Sequence, residues 1–80
     1  MEKGLIKADL MQATKMGCAM KRMNMGELAK MTGRSGSTLS GILKRGTPTL
    51  KVALDILEGA GAKMIVRYED GQEVELVVEQ

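Results

Sequence analysis

Paired carboxylates, clustered serines, one thiol and many thioethers are the side chains here that could do chemistry. Asp55 with Glu58, and Glu73 with Glu75, are spaced closely enough to suggest general acid–base work. Those spacings are also those of solvated helix and strand faces, which is the expectation. Ser35, Ser37 and Ser40 are candidate nucleophiles, but the chain contains no histidine. That removes the commonest way of activating a serine. Cys18 is the only cysteine, so no disulfide can close within one chain, and a structural zinc set is not expected. It is read as a packed, inert thiol. Eight methionines offer soft ligands of the kind that suit copper(I). Met16, Met20 and Met23, however, fall at i, i+4 and i+7, a helical stripe read as core filler. Gly33-Arg34-Ser35-Gly36 lacks the Lys-Ser/Thr that completes a nucleotide-binding loop. The expectation is a protein that is not an enzyme and takes no cofactor and no metal.

Charge is more informative. Residues 1–51 carry ten Lys/Arg against three acids, a net +7, whereas residues 52–80 carry two against seven, a net −5. The first part is what a polyanion-binding surface requires. Lys44, Arg45, Arg34 and Lys51 are the cations that flank its most turn-rich stretch.

The elements that must position these groups follow from periodicity and punctuation. Leu5 to Met23 has helical spacing, with Ile6, Leu10 and Ala13 as a second stripe and Gly17 weakening the middle. Asn24, with Glu27 three residues later, is a capping box for a short helix from Met25 to about Thr32. Gly33 ends it. Ser35 caps a third helix that reaches Lys44 or Arg45 and stops at Gly46. Thr47 or Thr49 caps a fourth, with Leu50, Leu54 and Leu57 at helical spacing and Ala53 beside them; Gly59 and Gly61 close it. The period then changes to two. Met64, Val66 and Tyr68 alternate along one run, Val74, Leu76 and Val78 along another that extends to Glu79, and Asp70-Gly71 lies between them. The chain divides into residues 1–61 and a hairpin extension, 62–80. The predicted class is mainly α with a C-terminal β-hairpin.

Two short helices across a glycine turn form the kernel of a helix-turn-helix. Ala29 supplies the small residue at the crossing, and Leu28, Leu39 and Ile42 can share a core. The stretch MGELAKMTGRSGSTLSGILKRG followed by TPTLKVALDILEGAG resembles the Xre/Cro family of lambda-repressor-like DNA-binding domains, over about residues 10–61. The resemblance implies a bundle of about four helices that binds double-stranded DNA and regulates transcription as a repressor. It places Ser35, Gly36 and Ser37 nearest the bases, with Ser40, Gly41 and Lys44 after them on the groove-facing side. Asn24 and Met25 begin the helix that often carries a phosphate contact. Arg34, Arg45 and Lys51 are candidates for backbone phosphates. Thr32 and Arg34 stand where the family is usually apolar. The third helix also lacks the Gln, Asn or Arg that read bases bidentately. Either Lys44 and Arg34 carry the discrimination, or glycine lets the helix backbone sit close to DNA and shape is read.

An isolated hairpin is marginal in water. Met64, Val66, Tyr68, Val74, Leu76 and Val78 are therefore expected to form a homodimer interface, the alternative being that they fold back on the chain's own helices. The competing function is protein binding, as an antitoxin that holds a toxin or as a phage-encoded inhibitor on the same scaffold. Met1-Glu2-Lys3-Gly4 leads into no long apolar stretch, and no run approaches a membrane span. A cytoplasmic protein with no membrane partner is expected.

Overall fold

In the computed structural model, which describes residues 6–78, a capping side chain starts every helix. Asp9 opens α1 (Leu10–Lys21) by accepting from the Gln12 N–H at 2.8 Å. Asn24 opens α2 (Met25–Met31) by accepting from Glu27 N–H at 2.8 Å, and the Glu27 carboxylate accepts in return from Asn24 N–H at 3.1 Å. Ser35 does the same for α3 (Gly36–Arg45) at Thr38 N–H, 3.1 Å, and Thr49 for α4 (Leu50–Gly59) at Val52 N–H, 3.3 Å. Each cap satisfies an amide that the helix itself leaves unpaired, a stabilisation of about 1 kcal/mol per site.

The four helices enclose one core. Leu28, Leu39 and Ile56 are its fully buried large side chains, and Cys18, Ala29, Leu43 and Ala60 complete it. Thr14 is also fully buried, and its hydroxyl donates to the Leu10 carbonyl at 2.7 Å. No buried side-chain polar atom lacks a partner among the described residues.

Two glycines set how closely the helices approach. A Cβ on Gly17 would lie 2.9 Å from the Ala60 Cβ and closer still to the Ala60 carbonyl oxygen. A Cβ on Gly59 would lie 2.8 Å from Leu28 Cδ1. Gly17 is thus the point where α1 crosses the end of α4, and what weakens the helix locally lets it pack.

One open point closes and two expectations need correction. The first helix, whose start the sequence left open, begins at Leu10, because Asp9 and Gln12 form a capping box there; Leu5 lies outside the described residues. The methionine stripe is not core: Met16 is 40% and Met20 77% exposed, and only Met23 packs against the core. The buried face of α1 is Thr14 and Cys18, with Leu10 and Met11 beside it. On α4 the buried face is Ala53, Ile56 and Leu57, while Leu50 is exposed.

After α4 the chain forms the hairpin of β1 (Ile65–Arg67) and β2 (Glu73–Glu75), antiparallel, with Val66 opposite Val74. Backbone bonds from Leu76 N–H to Met64 O and from Tyr68 N–H to Gln72 O, both 2.8 Å, extend the ladder at each end. Met64, Val66, Tyr68, Val74 and Leu76 therefore share one face. On the other face Arg67 pairs with Glu73 and Lys63 with Glu75, each at 3.4 Å. The strands contact each other and no helix.

The Gly17 crossing gives a direct test. Gly17→Ala should gain about 1 kcal/mol of helix propensity but force a methyl into a backbone carbonyl, an overpacking cost of ~1–3 kcal/mol or more. The expected result is a lower melting temperature in a thermal denaturation scan, the reverse of what propensity alone requires.

Candidate nucleic-acid interface

The turn between α2 and α3 is built by backbone geometry. Gly33 takes φ of +72°, a left-handed conformation that costs glycine little. Its N–H bonds to Lys30 O at 3.1 Å, and Arg34 N–H bonds to Ala29 O at 2.8 Å, the double closure of a Schellman motif. Ala29 is 1% exposed at the contact of α2 with α3. The polar residues of the turn are accounted for. Thr32 Oγ1 donates back to the carbonyls of Leu28 and Ala29, each at 3.1 Å. The Arg34 guanidinium donates to Thr32 O at 3.0 Å and lies 3.8 Å from Asp55 Oδ2 on α4.

Held this way, α3 buries Leu39 and Leu43 and packs Ile42 against the core. The opposite side follows from helical geometry. Ser37, Gly41 and Lys44 fall within an arc of about 60°, with Thr38, Ser40 and Arg45 at its margins. Ser37, Thr38, Lys44 and Arg45 are exposed, while Ser40 and Gly41 are half-buried. A Cβ on Gly41 would sit 3.5 Å from Arg45 Nη1, so the Arg45 side chain folds back over that glycine. Lys44 and Arg45 make no ion pair among the described residues. From residue 28 to residue 54 the chain has five cations and no acid, so the outward side of α3 is positive. Gly36 and Ser37 occupy the first turn, where Ser35 takes the Thr38 amide and leaves their own N–H groups without helical partners.

The expected residues divide into three groups. Gly36, Ser37, Ser40, Gly41, Lys44 and Arg45 come together on α3. Ser35 stands at its start, with its hydroxyl engaged by Thr38 N–H and Thr38 Oγ1. The side chains of Asn24, Met25 and Arg34 serve the fold instead. Asn24 caps α2, Met25 packs against the core with Sδ 3.9 Å from Cys18 Sγ, and Arg34 ties the turn to α4. Lys51 is exposed in the first turn of α4 and borders a groove of about 500 Å³ between α4 and the base of the hairpin. Thr38 was not expected from the sequence, although a helical projection centred on Leu39 would have found it.

The expected dimer residues also separate. Met64, Val66 and Leu76 are half-buried, while Tyr68, Val74 and Val78 are exposed. Val78 lies beyond β2 and lines the groove against α4. Cys18 is buried, and that burial pushes its thiol up, against a smaller opposing effect of Lys21. The described residues hold no cluster of potential metal ligands and no helix long and apolar enough to cross a membrane. No family model, curated protein or solved structure matches the chain.

Arg34 and Lys44 should therefore respond differently to truncation. Arg34→Ala removes a hydrogen bond and a half-exposed ion pair, so denaturant unfolding should show a loss of about 1 kcal/mol. Lys44→Ala should leave the unfolding midpoint within about 0.5 kcal/mol of the parent.

Proposed function

We propose that the protein is a DNA-binding transcriptional regulator, a repressor that lays α3 in the major groove as a homodimer. One observation carries this: the outward side of α3 is exposed, positive and free of acids, and it is held out by a capped helix and a closed glycine turn. This is the arrangement that docks a recognition helix, in which N-terminal residues meet base edges and flanking cations meet phosphates. The resemblance to the Xre/Cro family points the same way.

The chemistry of the face specifies how it would read DNA. Ser37, Ser40 and Gly41 are low in relief, so the helix axis can come close to the groove floor. Serine hydroxyls donate or accept with little discrimination between bases. Lys44 is the cation within the arc, at one end of it and free of ion pairs among the described residues, and Arg45 stands at its margin. Arg34, already occupied by Thr32 and Asp55, contributes less than the sequence suggested. Affinity then comes mostly from phosphates, and preference comes from a few contacts together with groove shape. A two-fold dimer would read half-sites about 34 Å apart and occlude whatever else binds there, which is the basis for repression.

A second reading, a protein-binding antitoxin or inhibitor, is favoured by a different observation. Ile6, Ala8, Ala13, Met16 and Met20 line an apolar groove of about 310 Å³ that includes no residue of α3. Methionine-rich surfaces adapt to varied partners.

Selection of fragments from a random DNA pool separates the two. The expected outcome is an enriched palindrome whose binding weakens steeply with salt. Lys44→Ala should weaken it and reduce the salt slope by about one. Gly41→Leu, which leaves the fold room, should abolish enrichment if the helix backbone approaches the bases. No enrichment at low salt would reject the DNA reading in favour of a protein partner.

A further inference from the structure

We infer that the hairpin pairs with a second copy of itself through the outer edge of β1, with Val66 on the two-fold axis, making a four-stranded antiparallel sheet. The inference rests on the proposed homodimer but not on DNA binding.

The ladder shows which backbone groups are free. Met64 and Leu76 form one hydrogen-bonded pair, and Tyr68 and Gln72 another. Antiparallel ladders alternate, so Val66 and Val74 also point their backbone groups inward. Those of Ile65 and Arg67 on β1, and of Glu73 and Glu75 on β2, point outward and are unpaired edges.

Charge decides between the two edges. Like charges placed directly opposite destabilise a strand pair. On β2, a two-fold centred on any of Glu73, Val74 or Glu75 sets glutamate against glutamate. Glu75 also borders the groove that holds Asp55 and Glu58 of α4, with Lys51 and Lys63 beside them. On β1, centring on Ile65 opposes Lys63 to Arg67, and centring on Arg67 opposes it to itself. Centring on Val66 has neither defect. Ile65 then faces Arg67 of the second copy with correct hydrogen-bond parity, and Met64 faces Tyr68. Lys63 comes alongside Glu69, an opposite charge. Each contact occurs twice, as an isologous interface requires.

The same register joins the apolar faces. Val66 meets its symmetry mate, and Met64, Tyr68, Val74 and Leu76 of both copies form one continuous surface. Tyr68, 52% exposed in the single chain, acquires Met64 of the second copy as an apolar neighbour across the new strand pair. A sheet of four strands also removes the marginality of an isolated pair.

Cysteine crosslinking tests the register. Val66 of one copy would stand about 4.5 Å from Val66 of the other, Cα to Cα, as a non-hydrogen-bonded pair, within disulfide reach. The two Val74 residues would be three strand spacings apart, about 14 Å, and out of reach. Val66→Cys should form a disulfide-linked dimer under mild oxidation, and Val74→Cys should not. The parent chain, whose one thiol is buried, is the blank. Sedimentation of Ile65→Lys, which sets an ammonium against Arg67 of the second copy twice, should show a dimer dissociation constant raised roughly tenfold. Crosslinking of Val74→Cys instead, of both, or of neither overturns the pairing, as does an unchanged dissociation constant for Ile65→Lys. A Val66→Cys dimer in a protein that selects no DNA would remove the regulatory function and leave the pairing. DNA selection by a protein that fails the crosslink would do the reverse.

Discussion

At Gly33 the backbone turns left-handed, and the Arg34 amide returns to the Ala29 carbonyl. That pair of events fixes the direction in which α3 leaves α2, so every exposed group on α3 depends on it. A Cβ at this position would meet no neighbour, so the requirement is conformational and not steric. Ala29 serves the same end from the packing side, since a larger residue at the α2–α3 contact would push α3 away from the core. The Arg34 guanidinium then fastens the turn to α4 through Thr32 O and Asp55. One consequence is that a cation well placed in sequence to meet phosphate is committed to structure. Lys44 and Arg45, in the last turn of α3, are the ones left in solvent.

Much of this was legible because caps and turns are local. Asn24 with Glu27, Ser35, Gly33 and Gly46 stand where the helices begin and end, and each acts through atoms a few residues away. The hairpin was legible for a similar reason: alternation fixes which residues share a face, and the Val66–Val74 register agrees with it. The first helix was less so. It carries two apolar stripes, and neither is the buried face, which runs through Leu10, Met11, Thr14 and Cys18. The buried stripe contains a threonine whose hydroxyl is satisfied by its own helix, so it looked polar, while the more hydrophobic methionines were left outside. Gly17 was only half legible for a related reason. Its local effect on the helix is visible in sequence, but the approach of Ala60, more than forty residues later, is not. At the candidate site, the face of α3 was readable by helical geometry. The commitment of Arg34 was not, because Asp55 comes from another helix.

The separation of charge along the chain gains a physical meaning once the elements are placed. Five cations and no acids occupy the stretch from residue 28 to residue 54, and the carboxylates gather on the later part of α4 and the hairpin. A duplex approaching the molecule is attracted by one part and repelled by the other, so electrostatics would orient it before any contact forms. The same arrangement constrains assembly. Across the hairpin, Lys63 and Arg67 of the first arm are drawn to Glu75 and Glu73 of β2. This internal pairing leaves β2 with an edge that repels its own copy, and β1 with a valine at the centre of an edge that does not. A chain too small to bury all its apolar surface alone thus has a polarity built into both of its exposed faces. On the proposed reading, the positive face meets a polyanion and the β1 edge a second copy, and the separation of charge keeps the two apart.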